Sequence, residues 1–197
     1  MPVQMHFSTF LKLLTLDTGD KIRQLTNYTR PGGFDFYRSL REATIAHTEG
    51  QRSVDEAEKI LRASAGSNTL DTNLEIFHRV AAWLSKQSGT CVPSPRAVWP
   101  SPAKQFTIVI APEISIQRGN EIRTLAIYPR RQARLNGDKA GAAIILMQQC
   151  LPAPDGTRFG ILDVFGERAH HSSTNYSSAV LAREIATIDD ELARLMG

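Results

Sequence analysis

Apolar positions along the chain change period several times, and each change marks an element. Phe7, Phe10, Leu11 and Leu14 recur at helical spacing inside the apolar-rich segment Met5–Leu16, which predicts a packed helix ending before Gly19. Residues Lys21–Tyr28 fit a second short helix, and Arg30-Pro-Gly-Gly33 predicts a turn. Between Phe34 and His47, residues Tyr37, Leu40, Arg41 and Thr44 share one helical face, with Phe36 beside them. Ser53-Val-Asp-Glu56 spells a capping box, in which hydroxyl and carboxylate satisfy amides at a helix start. The helix it opens carries Val54, Ala57, Ile60 and Leu61 and stops at Gly66. Another starts at Asp71 or Thr72, carries Leu74, Phe77, Val80, Ala81 and Leu84, and stops near Gly89.

The middle of the chain reads differently. Phe106–Ile116 predicts one strand, Gln117–Glu121 a turn, Ile122–Tyr128 a second strand, Asn136–Leu151 a helix and Arg158–Phe165 a third strand. Four prolines, Pro93, Pro95, Pro100 and Pro102, exclude helix and sheet interior just before it and predict an extended connector anchored by Trp99. After Phe165 a final helix carries Leu181, Ile185, Ile188, Leu192 and Leu195, a stripe that suits either packing on a sheet or a homodimer seam. The expected fold class is α+β: a helical N-terminal half, then a β-hairpin–helix–β unit with the C-terminal helix packed on the sheet. The organisation is 1–90 helical region, 91–105 connector and 106–197 α+β core, or one continuous domain.

Composition narrows the class without naming a function. A chain of 197 residues with 42% hydrophobic and 22% charged residues is ordinary for a globular protein, which excludes wholesale disorder. The apolar N-terminal segment has no preceding basic run, is interrupted by Lys12 and is too short to span a bilayer, so no membrane partner is expected. Cys91 and Cys150 lie far apart with no CxxC spacing, which fits a cytoplasmic setting and indicates neither a disulfide framework nor a zinc site. Net charge is +3 but uneven: +2 over residues 1–103, +4 over 104–140 and −3 over 141–197. The basic middle suits nucleic acid or another polyanion, or a solvated face.

Three constellations could carry chemistry. The first is basic: Arg130, Arg131 and Arg134 precede Lys139 near a helix start, with Arg123 on the preceding strand. Arginines beside free helix amides suit a phosphate or carboxylate. The second is acidic: Glu113 follows Pro112, Asp163 sits in Gly160-Ile-Leu-Asp-Val-Phe165, and Glu121 precedes the second strand. Carboxylates brought together there could hold Mg²⁺ and orient water for phosphodiester cleavage. The opposing expectation puts Glu113 in solvent on an edge strand kinked by Pro112. The third is Asp163 with His170 and His171, a possible metal set or simply a surface loop. No G-x-S-x-G, P-loop or G-x-G-x-x-G occurs, and Ser177 or Asn175 is expected to cap the last helix.

Helix, hairpin with Pro112-Glu113, basic tail, helix and returning strand resemble in order the core of restriction-endonuclease-like proteins, over roughly residues 70–165. That resemblance implies an acid on one hairpin strand and an acid-x-Lys pair on the next. The second strand, Ile122-Arg-Thr-Leu-Ala-Ile-Tyr128, has neither acid nor lysine, and Glu121 is followed two residues later by Arg123. The resemblance therefore implies a degenerate cleavage site. Phe36–Ala43 also resembles a Phe-Tyr-x-x-Leu-Arg-Glu-Ala helix of uncharacterised bacterial proteins, which implies no activity. The expected function is a non-catalytic binding protein with a basic strand-to-helix loop for an anionic partner and no cofactor. The alternative is a metal-dependent nuclease or phosphodiesterase using Glu113 and Asp163 with Mg²⁺.

Overall fold

Pro112 is where the chain changes sheets. The structure, a computed structural model, describes residues 2–29, 35–133 and 135–197; the Arg30–Gly33 turn, Phe34 and Arg134 lie outside them. One continuous strand was expected over Phe106–Ile116. Instead β4 (Phe106–Ile110) belongs to a three-stranded sheet with β1 (Val3–His6) and β3 (Ala97–Pro100), in the order β1-β4-β3. After Ala111-Pro112-Glu113 the chain enters a five-stranded sheet as β5 (Ile114–Arg118), beside β2 (Thr90–Cys91), β6 (Glu121–Tyr128), β7 (Thr157–Asp163) and β8 (Arg168–His170), in the order β2-β5-β6-β7-β8. Proline has no N–H for a ladder, so the hydrogen bonding of β4 stops there.

The hairpin β5–β6 is antiparallel and closes through Gly119-Asn120, with Gly119 at φ 60°, the positive value that the first position of such a two-residue loop requires. β6 and β7 are parallel, joined by the crossover helix α6 (Gly137–Cys150). Ala126, Tyr128, Phe159 and Ile161 face one core with α6, α1 (Phe7–Thr15) and α7 (Ser177–Met196). Leu125, Ile127, Leu162 and Val164, of opposite parity, face a second core with α3 (Arg38–Thr48), α4 (Val54–Ser64) and α5 (Leu70–Leu84). The sheet thus lies between two helical layers. The α+β class, the helical N-terminal half and the C-terminal helix are as expected.

Other elements differ in detail. Val3–His6 is a strand, pairing in parallel with β4, where a helix beginning at Met5 was expected. Alternate burial of Val3 and Met5 in four residues is too short a signal beside the helical stripe that follows. The proline-rich connector contributes β2 and β3, both edge strands, the places where proline is tolerated. Leu181, Ile185, Ile188 and Leu192 are buried in the protein's own core against α6, and only Leu195 of the stripe is exposed. These four side chains are therefore not available for a subunit seam. α7 begins at Ser177 behind Tyr176, which makes no capping bond, so neither expected cap serves; the Ser177 hydroxyl accepts instead from Thr174 N–H. Among the described residues no helix is long and apolar enough to cross a membrane.

The capping box forms as spelled. Ser53 Oγ accepts from Glu56 N–H at 3.2 Å, and Glu56 Oε2 accepts from Ser53 N–H at 2.9 Å. Ser53→Ala should cost about 1 kcal/mol in urea unfolding, the usual worth of such a cap. An unchanged midpoint would mean that α4 is held by Ala57 and Leu61 alone.

Candidate functional site

The sheet change makes Glu113 a buried acid. Its residue is 4% exposed, and its Oε2 accepts from Ile127 N–H at 2.9 Å, extending the β5–β6 ladder with a side chain. Thr48 Oγ1, on α3, donates to the Glu113 carbonyl at 3.0 Å. Burial pushes the Glu113 carboxyl up to about 7, against the opposing pull of the Ile127 N–H and the Arg41 charge. The expectation of a solvent-facing edge acid is corrected: the crossing between sheets carries residue 113 through the interior beneath α3.

Around the start of α3 stands a charged array that begins with Arg41. Its guanidinium grips both oxygens of Asp35, one at 3.1 Å and the other in a close ion pair. His6, at the junction of β1 and α1, places Nε2 3.4 Å from Asp35 Oδ2. Burial pushes the Asp35 carboxyl up but is outweighed by Arg41, His6 and the Tyr37 N–H, so it lies below the ordinary range. Burial and then the Arg41 charge hold the His6 imidazole below its usual value, against the opposing pull of Asp35.

His6 and Asp35 border a cleft of about 340 Å³ between α1, α2 (Thr18–Tyr28) and the segment entering α3. Lys12 and Gln24 line it in mutual contact, and Tyr28 Oη and Thr9 Oγ1 share a 2.8 Å hydrogen bond on the same wall. Phe36 and Tyr37 stand edge to face across 4.9 Å at its rim. Burial, then the charge of Arg130, lowers the Lys12 ammonium below its ordinary value. Among the described residues no carboxylate pairs with Lys12 or Arg130, and Arg130 Nη1 is buried without a hydrogen-bond partner.

The expected basic set does not converge. Arg123 bonds Glu121 at 2.8 Å near the start of β6, while Arg130 lies beyond its end, five residues of strand and a turn away, more than about 17 Å of chain. Arg131 pairs with Glu75 and lies 5.0 Å from the centre of the Phe165 ring, which Arg79 also contacts at 5.1 Å. The amide of Lys139 is already taken by Asn136 Oδ1 at 2.9 Å, and Asp138 supplies negative charge to the first turn of α6. That helix end is capped rather than free for an anion. Arg134 lies outside the described residues. Of the described set, none lines the cleft, and Arg130 reaches it only through its charge on Lys12 and Tyr37.

The acidic set is also divided. Asp163 stands opposite Tyr128 and Glu121 just before the Ile122–Thr157 rung, so about 23 Å of strand separates them and they cannot share an ion. Glu113 and Asp163 lie at the same end of the sheet, with β6 between their strands. Asp163 Oδ1 accepts from Gly166 N–H at 2.9 Å. His170, on β8, pairs with Ile161 of β7 and leaves Nε2 buried without a partner among the described residues, whereas His171 lines a small pocket with Glu121 and Arg123. Neighbouring strand positions point to opposite faces. Among the described residues no three His, Cys, Asp or Glu side chains gather as a metal site.

Sequence reading missed His6, Lys12 and Asp35. Arg41 carried the available signal, being a charged residue on the apolar face of Tyr37, Leu40 and Thr44. His6 and Lys12 gave none, since their partners lie far away in sequence. Comparison with protein-family models and with curated proteins gave no match for this chain.

Proposed function

We propose that the protein is a non-catalytic binding protein for an anionic partner, with Lys12 and Arg130 as the recognising cations. The supporting observation is charge imbalance: Arg41, Arg123 and Arg131 each have a carboxylate, while Lys12 on the cleft wall and Arg130, whose charge acts on Lys12, have none among the described residues. A half-buried cation without a counter-charge has lost part of its hydration uncompensated, and an arriving anion relieves that cost. The sequence expectation of an anion site is retained in Arg130 and shifted from the strand-to-helix loop to the cleft. Free Cys91 and Cys150 fit the expected cytoplasmic setting.

Binding of inorganic phosphate, a mononucleotide and a DNA oligonucleotide, measured across a salt series, tests this reading. Lys12→Ala and Arg130→Ala should each weaken binding about tenfold, the scale of a charge-assisted hydrogen bond, while Arg131→Ala should not. Absence of salt-sensitive binding would remove the proposal.

The second reading, a metal-dependent nuclease or phosphodiesterase on the Glu113–Asp163 pair, is favoured by one observation: a fully buried acid with its carboxyl raised to about 7. Mg²⁺- or Mn²⁺-dependent cleavage that disappears in Glu113→Ala would support it over the binding role.

A further inference from the structure

The polar cleft also speaks to the size and shape of its ligand. Its 340 Å³ falls at the low end of small-molecule sites, about 300–1,000 Å³. Lys12 supplies a cation on one wall. Tyr28, Phe36 and Tyr37 supply three ring surfaces around the same space, and Ser8, Thr9 and Gln24 add short polar groups. Asp35, fully engaged by Arg41, offers little net negative charge to repel an anion.

A nucleic-acid strand needs a different surface: cations repeated along a track, with rings presented in series. Here Arg123 is paired to Glu121 at the far end of β6, and Arg131 and Arg79 are paired to Glu75 around Phe165. Lys12, without a carboxylate partner among the described residues, instead stands on the wall of a concave opening. This arrangement favours a single anionic group over a polyanion.

We infer that the cleft bounded by His6, Lys12, Tyr28 and Tyr37 binds a small molecule carrying one phosphate or carboxylate on a planar ring. The anionic group lies against Lys12, and the ring lies among Tyr28, Phe36 and Tyr37. This inference rests on the anion-binding reading above and narrows its partner to a small aromatic anion.

Phenyl phosphate, benzoate, inorganic phosphate and a twelve-nucleotide thymidine oligonucleotide are the probes, titrated into the full chain by calorimetry and by NMR. Phenyl phosphate is expected to bind at least tenfold more tightly than inorganic phosphate, and to shift resonances of Lys12, Tyr28 and Tyr37 in the unaltered protein. Lys12→Met should lose at least tenfold in affinity for phenyl phosphate and benzoate. Tyr37→Leu should reduce the preference for phenyl phosphate over inorganic phosphate, while Lys139→Met should bind as the parent does. The NMR arm needs no substitution, so it stands even if a variant unfolds. Equal affinity for phenyl and inorganic phosphate, or shifts confined to residues outside the cleft, would overturn the inference. Salt-sensitive oligonucleotide binding that phenyl phosphate does not displace would overturn it too, yet leave the broader anion-binding reading intact. No binding by any probe would overturn both.

Discussion

Replacing Glu113 with glutamine should leave stability nearly unchanged at pH 4 and raise it by up to about 3 kcal/mol at pH 8. The native carboxyl is raised to about 7 from an ordinary 4.5, chiefly by burial. A group that holds its proton more tightly when folded stabilises the fold fully while both states are protonated. As pH rises through 4.5 the unfolded chain ionises and the folded one does not, so stability falls until the folded carboxyl ionises near 7. The interval of about 2.5 pH units, at 1.36 kcal/mol each, sets the size of the loss. Glutamine keeps the side-chain length and an oxygen that can accept from Ile127 N–H, but it has no proton to lose. Urea denaturation of both proteins between pH 4 and pH 8 measures the difference directly. Parallel stability curves would show that Glu113 ionises in the folded protein as freely as in water, and the buried-acid account would be wrong.

Ile188→Ala should destabilise the protein by about 2–5 kcal/mol, the range for truncating a fully buried aliphatic side chain. Ile188 lies in the core that α7 shares with α6, where Gly141 lets the helix approach closely. A Cβ built on Gly141 would fall 2.1 Å from Ser177 Oγ and 2.8 Å from the Ser173 Cα. Sealed against its own chain in this way, α7 loses packing within the monomer when Ile188 is cut back. The unfolding midpoint should therefore be independent of protein concentration in parent and variant alike. Leu195→Ala, at 37% exposure near the end of the same stripe, should change stability by no more than about 0.5 kcal/mol. A midpoint that rises with concentration, together with a large loss for Leu195→Ala, would point back to a subunit seam.

Local pattern made much of the fold legible. The Ser53–Glu56 box, the α5 stripe of Leu74, Phe77, Val80 and Ala81, and the run from Ile122 through α6 to β7 are all written in residues close in sequence. Misreadings arose where distant partners decided the outcome. Val3–His6 became a strand because β4, a hundred residues later, offers it a parallel ladder. Phe106–Ile116 was divided because two sheets need different segments of it, and Pro112 marks the break without saying where the second half goes. The candidate site was least legible of all. Arg130 was identified, but its charge acts on Lys12 more than a hundred residues earlier, while Arg131 found Glu75 on α5 and Arg123 found Glu121 beside it.

By itself the sequence determined the α+β class, the positions of most helices and the hairpin, and the presence of a basic stretch after β6. Periodicity and capping act over one or two helical turns, so they can be read from neighbouring residues. Only the tertiary structure decided which charges remain unpaired and which acid is buried. Those properties depend on what lies across a few ångströms of space, and the groups that settle them here are far apart in the chain.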